Sequence, residues 1–170
     1  MTNQDPTTEL NALTREHMHL VWQAAQMGGE QLNADDRCTA EAMAAHSEYA
    51  HLWGRLDHLT DAEITADGAN PILHVTMHAV VESQIVGGDP PETGQTMTAL
   101  ERRGLAHHEA VHRVVSVLVG EIWHVMHEKR PFNPARYAAR LAELLRFRST
   151  ERLFQASGHV ILGRETNRRM

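Results

Sequence analysis

Two pairs of histidines at four-residue spacing are the residues in this chain best suited to chemistry. One pair is His108 and His112, and the other is His74 and His78. Residues four apart share one face of an α-helix, so each pair directs two imidazoles the same way. Burying adjacent imidazoles costs free energy unless they find a partner, and a transition-metal ion is a good partner for neutral imidazole. The spacing therefore predicts a metal site between two helices.

Carboxylates and a further histidine extend this candidate site. Glu82 follows His78 by four residues, and we expect it to bind the metal or to orient an imidazole. His17 and Glu48 are further candidate ligands, because His17 lies on the predicted inward face of the first helix and Glu48 flanks that of the second. A nitrogen-rich donor set favours iron, zinc, copper or nickel over magnesium or calcium. The expected cofactor is iron, as a single ion or a di-iron pair, or zinc.

The second histidine pair also matches a catalytic motif. His108-Glu109-Ala110-Val111-His112 spells H-E-x-x-H, in which two histidines bind zinc and the glutamate is the general base. Glu109 is therefore the candidate catalytic residue. A zinc hydrolase of this kind also needs a third ligand and a strand edge that binds its substrate, and no strand pattern lies nearby.

Ligand pairs on facing helices are typical of iron-binding bundles. The chain is therefore predicted to be a non-haem iron oxidoreductase, acting on a small-molecule substrate, rather than a zinc hydrolase. Two non-enzymatic alternatives stay open. One is a protein that binds metal or haem without catalysis, and the other is a structural network in which the histidines bond to carboxylates.

The histidines fall on segments with helical periodicity. Apolar residues recur at intervals of three and four in six segments, which begin near Pro6, Asn33, Asn70, Thr93, Leu105 and Ala135. Strand-like alternation is not evident before residue 150. The pattern predicts an all-α fold, a bundle of four main helices plus one or two short helices.

Three helices have specific predicted inward faces. That of the first helix comprises Leu10, Leu13, His17, Leu20, Ala24 and Met27. The second helix is expected to run unbroken, with an apolar stripe from Cys38 to Leu59, and a polar loop from Thr60 to Ala69 follows it. The last helix is expected to turn Tyr137, Leu141, Leu144 and Leu145 inward.

Length and composition indicate one globular domain. The 170 residues are 42% hydrophobic and 22% charged, and a single cysteine excludes both an intramolecular disulfide and a multi-thiolate metal site. No apolar stretch has transmembrane length and no signal peptide is visible, so we expect a cytoplasmic protein without a membrane partner. Residues 1–148 are predicted to form the metal-binding bundle, and residues 149–170 a basic tail of undetermined structure.

Charge is divided unevenly along the chain. Residues 1–128 carry 6 basic and 19 acidic side chains, whereas residues 129–170 carry 10 basic and 3 acidic ones. The basic end is poor in aromatic residues and has no recognised motif, so nucleic-acid binding is not expected. We expect instead a homodimer in which the last helix supplies the apolar contact through Leu141, Leu144 and Leu145. The alternative is a monomer in which that helix covers its own metal pocket.

Several short motifs surround the paired histidines. They are Asn70-Pro71-x-Leu73-His74-x-x-x-His78, Glu82-Ser83-Gln84, Asp89-Pro90-Pro91, His108-x-Ala110-x-His112, Gly120-Glu121-x-Trp123 and His46-Ser47-Glu48-Tyr49. Together they resemble a bacterial family catalogued as domain of unknown function 1841, over residues 40–145. The resemblance implies no activity. It implies that one pattern contains His74, His78, Glu82, His108 and His112.

Overall fold

Helices make up all the regular secondary structure of residues 6–65 and 70–146, the ranges that the computed structural model describes. They are α1 (Pro6–Gln26), α2 (Ala34–Ala45), a 3-10 helix (Ser47–Tyr49), α3 (Ala50–Trp53), α4 (Asp61–Ile64), α5 (Pro71–Gly87), α6 (Pro91–Arg102), α7 (His107–Glu128) and α8 (Pro134–Arg146). The all-α prediction is confirmed for these ranges. The predicted tail, residues 149–170, lies outside them. Among the described helices, none is both long and apolar enough to cross a bilayer.

Local capping signals determine where several helices begin. The Asn70 side chain accepts a hydrogen bond from the Leu73 N–H at 3.1 Å, and Pro71 occupies the first turn of α5, where a missing N–H costs little. The short helix α4 lies in a segment predicted to be a loop. Its start is a capping box formed by Thr60 and Glu63, a signal present in the sequence but overlooked there.

Two hydrophobic clusters share the central helix α5. The first packs α1, α2, α3 and α4 against Val75 and Ala79 and surrounds the fully buried Trp53. The second packs α6, α7 and α8 against Val81 and includes the fully buried Tyr137. Because α5 contributes to both clusters, it holds the two halves of the protein in contact along its length.

The inward face predicted for α1 is wrong. High solvent exposure is shared by Leu10 (63%), Leu13 (57%), Leu20 (54%) and Met27 (74%). The buried face instead contains Met18, Val21 and, partly, Trp22, which form a second apolar stripe at helical spacing. The buried His19 ring shares a hydrogen bond with the Trp53 carbonyl oxygen at 3.1 Å, and this contact favours that rotation of the helix.

The apolar face of α8 packs on its own chain. Tyr137, Leu141 and Leu144 are buried against α6 and α7. The inward face predicted for this helix is therefore correct for these three residues. Leu141 and Leu144 are thus covered within one chain, and the homodimer expected through Leu141, Leu144 and Leu145 stays a prediction.

A buried ion pair fastens the start of α8 to α7. Arg136 donates two hydrogen bonds to the Glu121 carboxylate, at 2.6 and 2.7 Å, and the Asn133 N–H donates a third at 3.0 Å. Glu121 is only 3% exposed. These bonds hold the pKa of the Glu121 carboxyl below its usual value, and those from Arg136 have the largest effect. Glu121 is thus a structural anchor for α8.

We expect Arg136→Ala to lower the melting temperature by several degrees, because it leaves the buried Glu121 carboxylate without its charged partner. Arg140→Ala is the matched control, since the Arg140 contact with Glu143 at 3.5 Å is exposed. Thermal denaturation of both variants at pH 7 tests this assignment. Equal melting temperatures in the two variants would show that the Glu121 pair does not anchor α8.

Candidate metal centre

Five imidazoles from three helices meet in one group, which we call the histidine cluster. Its members are His46, His74, His78, His108 and His112. The His46 ring centre lies between 4.5 and 6.0 Å from those of the other four. All except His108 offer one nitrogen each within 4.8 Å of one another. The structure thus brings both predicted pairs together and adds His46.

Helix ends place these side chains. His74 and His78 are the fourth and eighth residues of α5, which follows the Asn70 cap. His108 is the second residue of α7, and His112 lies one turn further on. Because α5 packs against both α2 and α7, the beginnings of α5 and α7 meet the end of α2. The histidine cluster lies where these three ends meet.

His46 was missed in the sequence because it lies at a helix break. The prediction of one unbroken second helix is wrong, since α2 ends at Ala45 and a 3-10 helix follows. At the break, the His46 backbone N–H bonds to the Met43 carbonyl instead of continuing the α-helical pattern with Ala42. The His46 Nδ1–H donates to the Ala42 carbonyl at 2.7 Å, which satisfies the end of the helix. The one signal for His46 was its place in the His46-Ser47-Glu48-Tyr49 motif.

That hydrogen bond also determines which His46 nitrogen can bind a metal. A carbonyl only accepts, so we assign the proton to Nδ1 and an available lone pair to Nε2. The His46 Nε2 atom lies 2.8 Å from the His74 Nε2 atom. The His112 and His108 Nε2 atoms are likewise 3.0 Å apart. Ligating histidines commonly have their other ring nitrogen held by a carbonyl in this way.

His78 provides the most informative atom of the histidine cluster. Its ring is 2% exposed, and its Nε2 atom is buried without a hydrogen-bond partner among the described residues. Leaving a buried polar atom unpaired costs about 1–3 kcal/mol, so native proteins rarely tolerate it without a reason. A metal ion on the Nε2 lone pair would remove that cost.

Four imidazoles of the histidine cluster have lowered pKa values. Burial, followed by repulsion from neighbouring imidazoles, lowers the pKa of His78 to about 3 and that of His112 to about 4. Burial likewise lowers the pKa of His74 and His108. The Glu48 carboxylate opposes this change at His74, His108 and His112, although its effect is smaller. These four imidazoles are therefore unprotonated at pH 7, as metal ligands must be.

The stability of the metal-free protein is expected to fall as the pH drops from 7 to 5. The unfolded chain takes up protons near pH 6.5 at His74, His78, His108 and His112, whereas the folded chain resists them. His107 acts in the opposite sense, because its folded pKa is raised, but it is one residue against four. Thermal denaturation in the presence of a chelator should show a loss of several degrees. An unchanged melting temperature over this range would contradict the neutral state assigned to the histidine cluster.

Two predicted carboxylates have other partners. Glu82 lies 2.8 Å from the His107 Nε2 atom, and the Nδ1 atom of the same ring lies 2.6 Å from Glu101. These hydrogen bonds, first that from Glu101, raise the pKa of His107 and favour an imidazolium held between two carboxylates. Glu109 is exposed and accepts a hydrogen bond from Arg113 at 3.1 Å. Neither carboxylate is among the grouped donors.

The remaining predicted ligands differ in where they lie. His17 is exposed on α1 and pairs with Asp36 at 2.9 Å. Glu48 lies in the 3-10 helix two residues after His46, and its charge acts on three of the imidazoles. Glu82 and Glu109 bond to other side chains. Glu48 is thus the predicted carboxylate that remains next to the histidine cluster.

The fold and this site define an all-helical protein with a five-histidine cluster at the meeting point of three helix ends. The sequence profile of the family "Domain of unknown function (DUF1841)" matches residues 11–143, and the chain belongs to that family. The match confirms the resemblance and extends it towards the N-terminus. No curated protein and no solved structure matches the chain.

Proposed function

We propose that the histidine cluster binds one divalent transition-metal ion and that the protein acts through this ion. The observation that carries the proposal is the group of four nitrogens, one each from His46, His74, His78 and His112, beside which the buried His78 Nε2 atom has no hydrogen-bond partner among the described residues. Four nitrogens within 4.8 Å of one another are an arrangement typical of a ligand set.

Two nitrogen separations are close to those around a single ion. Zinc or iron bonds to imidazole nitrogen are about 2.0–2.1 Å long, which puts tetrahedral ligands about 3.3 Å apart. The separations are 2.8 Å between the His46 and His74 Nε2 atoms and 3.0 Å between the His108 and His112 Nε2 atoms. The four grouped nitrogens extend to 4.8 Å from one another, so the imidazoles must move closer together to bind one ion.

A metal-free hydrogen-bond network is a weaker account of the same residues. In such a network each buried nitrogen would need a donor or an acceptor, and the His78 Nε2 atom has neither. Glu82 and Glu109, the carboxylates that would complete it, bond instead to His107 and Arg113. A metal ion satisfies the nitrogens without any carboxylate.

One ion is favoured over a di-iron pair. Two divalent ions in contact need bridging or terminal carboxylates to offset their charge, as in di-iron bundles. Among the carboxylates named as candidates, Glu48 alone is near the histidine cluster without another partner. A set of four or five neutral imidazoles suits one ion of iron or zinc.

The exposure of the site favours a reactive metal over a structural one. Structural sites are closed, whereas catalytic sites keep a position for water or substrate. His46 and His78 are buried, but His112 is exposed, so one side of the histidine cluster faces solvent. Zinc hydrolysis requires a general base at the metal, and Glu109 is turned towards Arg113. We therefore favour iron-dependent redox chemistry on a small molecule.

Metal analysis of protein purified without a histidine tag tests this function. We expect about one iron or zinc ion per chain. The control variant His51→Ala should bind the same amount, because His51 is an exposed histidine outside the histidine cluster. A stoichiometry far below one per chain, unchanged after incubation with excess metal, would refute metal binding. Iron with a ligand-to-metal absorption band supports redox chemistry, and colourless zinc would instead support hydrolysis.

A further inference from the structure

We propose that the exogenous ligand of the metal-loaded histidine cluster is a small anion, bound on the side of His112, where Glu48 is the chain's own competing carboxylate. This inference rests on the proposed metal binding and concerns the chemical class of what the metal then takes up. It follows from the charge of the donor set, the direction of the opening and the identity of the groups around it.

The donor set leaves the charge of the metal uncompensated. Imidazole ligands are neutral, so a divalent ion held by four or five of them keeps its two positive charges. Catalytic sites usually reduce that charge with carboxylate, thiolate or hydroxide ligands. Here Glu82 is hydrogen-bonded to His107, Glu109 bonds to Arg113, and the single cysteine, Cys38, lies buried in α2 outside the grouped donors. Of the candidate carboxylates that the structure describes, this leaves Glu48, and an exogenous ligand is expected to supply the rest of the compensation.

The opening of the site determines where such a ligand enters. His46 and His78 are 1% and 2% exposed and form the closed side. The open side is formed by His112, which is exposed, and by His74 and His108, which are partly exposed. Glu48 is exposed in the 3-10 helix that directly follows His46, so its carboxylate is on the surface next to the histidine cluster. Its charge also opposes the lowering of the pKa at these same three imidazoles. An anion approaching from solvent would meet its repulsion.

Helix ends of both signs meet at the same place. His74 and His108 lie in the first turns of α5 and α7, whose N-termini each carry about half a positive charge, whereas the end of α2 at His46 carries the opposite partial charge. A helix end alone is not a site, but the buried His78 Nε2 atom, unpartnered among the described residues, independently indicates a ligand here. The charge of the metal, with two helix starts against one helix end, favours an anion over a neutral or cationic ligand.

Cobalt(II) and azide provide the test, because cobalt(II) absorbs visibly and its spectrum reports its ligands. The full-length chain is loaded with cobalt(II) and titrated with azide at constant ionic strength, with perchlorate as the balancing anion. We expect a saturable spectral change at millimolar azide. Glu48→Gln should bind azide several-fold more tightly, whereas Glu41→Gln, which removes the same charge from an exposed position on α2, should match the unsubstituted protein.

The outcomes separate this inference from the proposed function. If cobalt(II) binds at one per chain but a large excess of azide leaves the spectrum unchanged, the metal site is closed and the anion proposal is overturned. If Glu48→Gln and Glu41→Gln bind azide equally, the competing role of Glu48 is overturned. Failure of cobalt(II) to bind at all, with the chain still folded, would instead refute the proposed function.

Discussion

His78→Leu is expected to abolish metal binding and to stabilise the metal-free protein at the same time. His78 is the most central buried member of the histidine cluster, so its loss removes a ligand and should weaken metal affinity by more than about 100-fold. Leucine has a similar volume and no polar atom. The substitution therefore removes the unpaired Nε2 atom, and the free energy of unfolding of the metal-free protein should rise by about 1–3 kcal/mol.

The two effects are measured separately. Metal affinity is obtained by titration with a competing chelator, and the stability of the metal-free protein by urea denaturation. His51→Leu, at an exposed histidine, is the matched control and should change neither quantity substantially. A core histidine that is fully hydrogen-bonded would behave in the opposite way, because its replacement by leucine leaves its former partners unsatisfied. Loss of stability in metal-free His78→Leu, with metal affinity intact, would rule out the role assigned to His78.

Removal of the metal is expected to lower the melting temperature of the unsubstituted protein by about 5–10 °C. A ligand that binds only the folded chain, at a hundred times its dissociation constant, contributes about 2.7 kcal/mol. In a chain of this size, each kcal/mol corresponds to about 2–4 °C. The histidine cluster joins α2, α5 and α7, so an ion bound there connects elements of both hydrophobic clusters.

The chelator must act through the histidine cluster for this result to support the proposal. His78→Leu should therefore melt at the same temperature with and without chelator, and adding zinc or iron back should restore only the unsubstituted protein. A chelator effect of equal size in His78→Leu would place the stabilising metal elsewhere in the chain. Both measurements use differential scanning calorimetry at pH 7, where the His78 and His112 imidazoles are unprotonated.

Local information in the sequence determined much of the fold. Helical periodicity and caps such as Asn70-Pro71 place α5, and Gly88, with a left-handed φ of 68°, ends it where the Gly87-Gly88 signal predicts. The same periodicity puts His74 with His78, and His108 with His112, because the helical repeat alone decides which residues share a face. Two of the three helical segments that form the histidine cluster were therefore predictable.

Tertiary packing decided which face of each helix is buried. On α1 the sequence contains two apolar stripes, and the heptad-like one, from Leu10 to Met27, was expected inside. The structure buries the other, because Met18 and Val21 fit against the cluster around Trp53. His17, on the exposed stripe, consequently pairs with Asp36 at the surface instead of joining the other histidines. Periodicity identifies stripes, but only the shape of the neighbouring helices selects between them.

The full histidine cluster also depended on tertiary structure. His46 does not lie on the apolar stripe predicted for the second helix. Its inward direction results from a helix break, at which its own Nδ1–H caps the Ala42 carbonyl. Glu82 has the spacing of a ligand, yet it bonds to His107 at the start of α7, whose other ring nitrogen bonds to Glu101. Spacing along one helix determines only which side chains share a face of that helix. Which groups meet is determined by the partners that other helices bring to the same point.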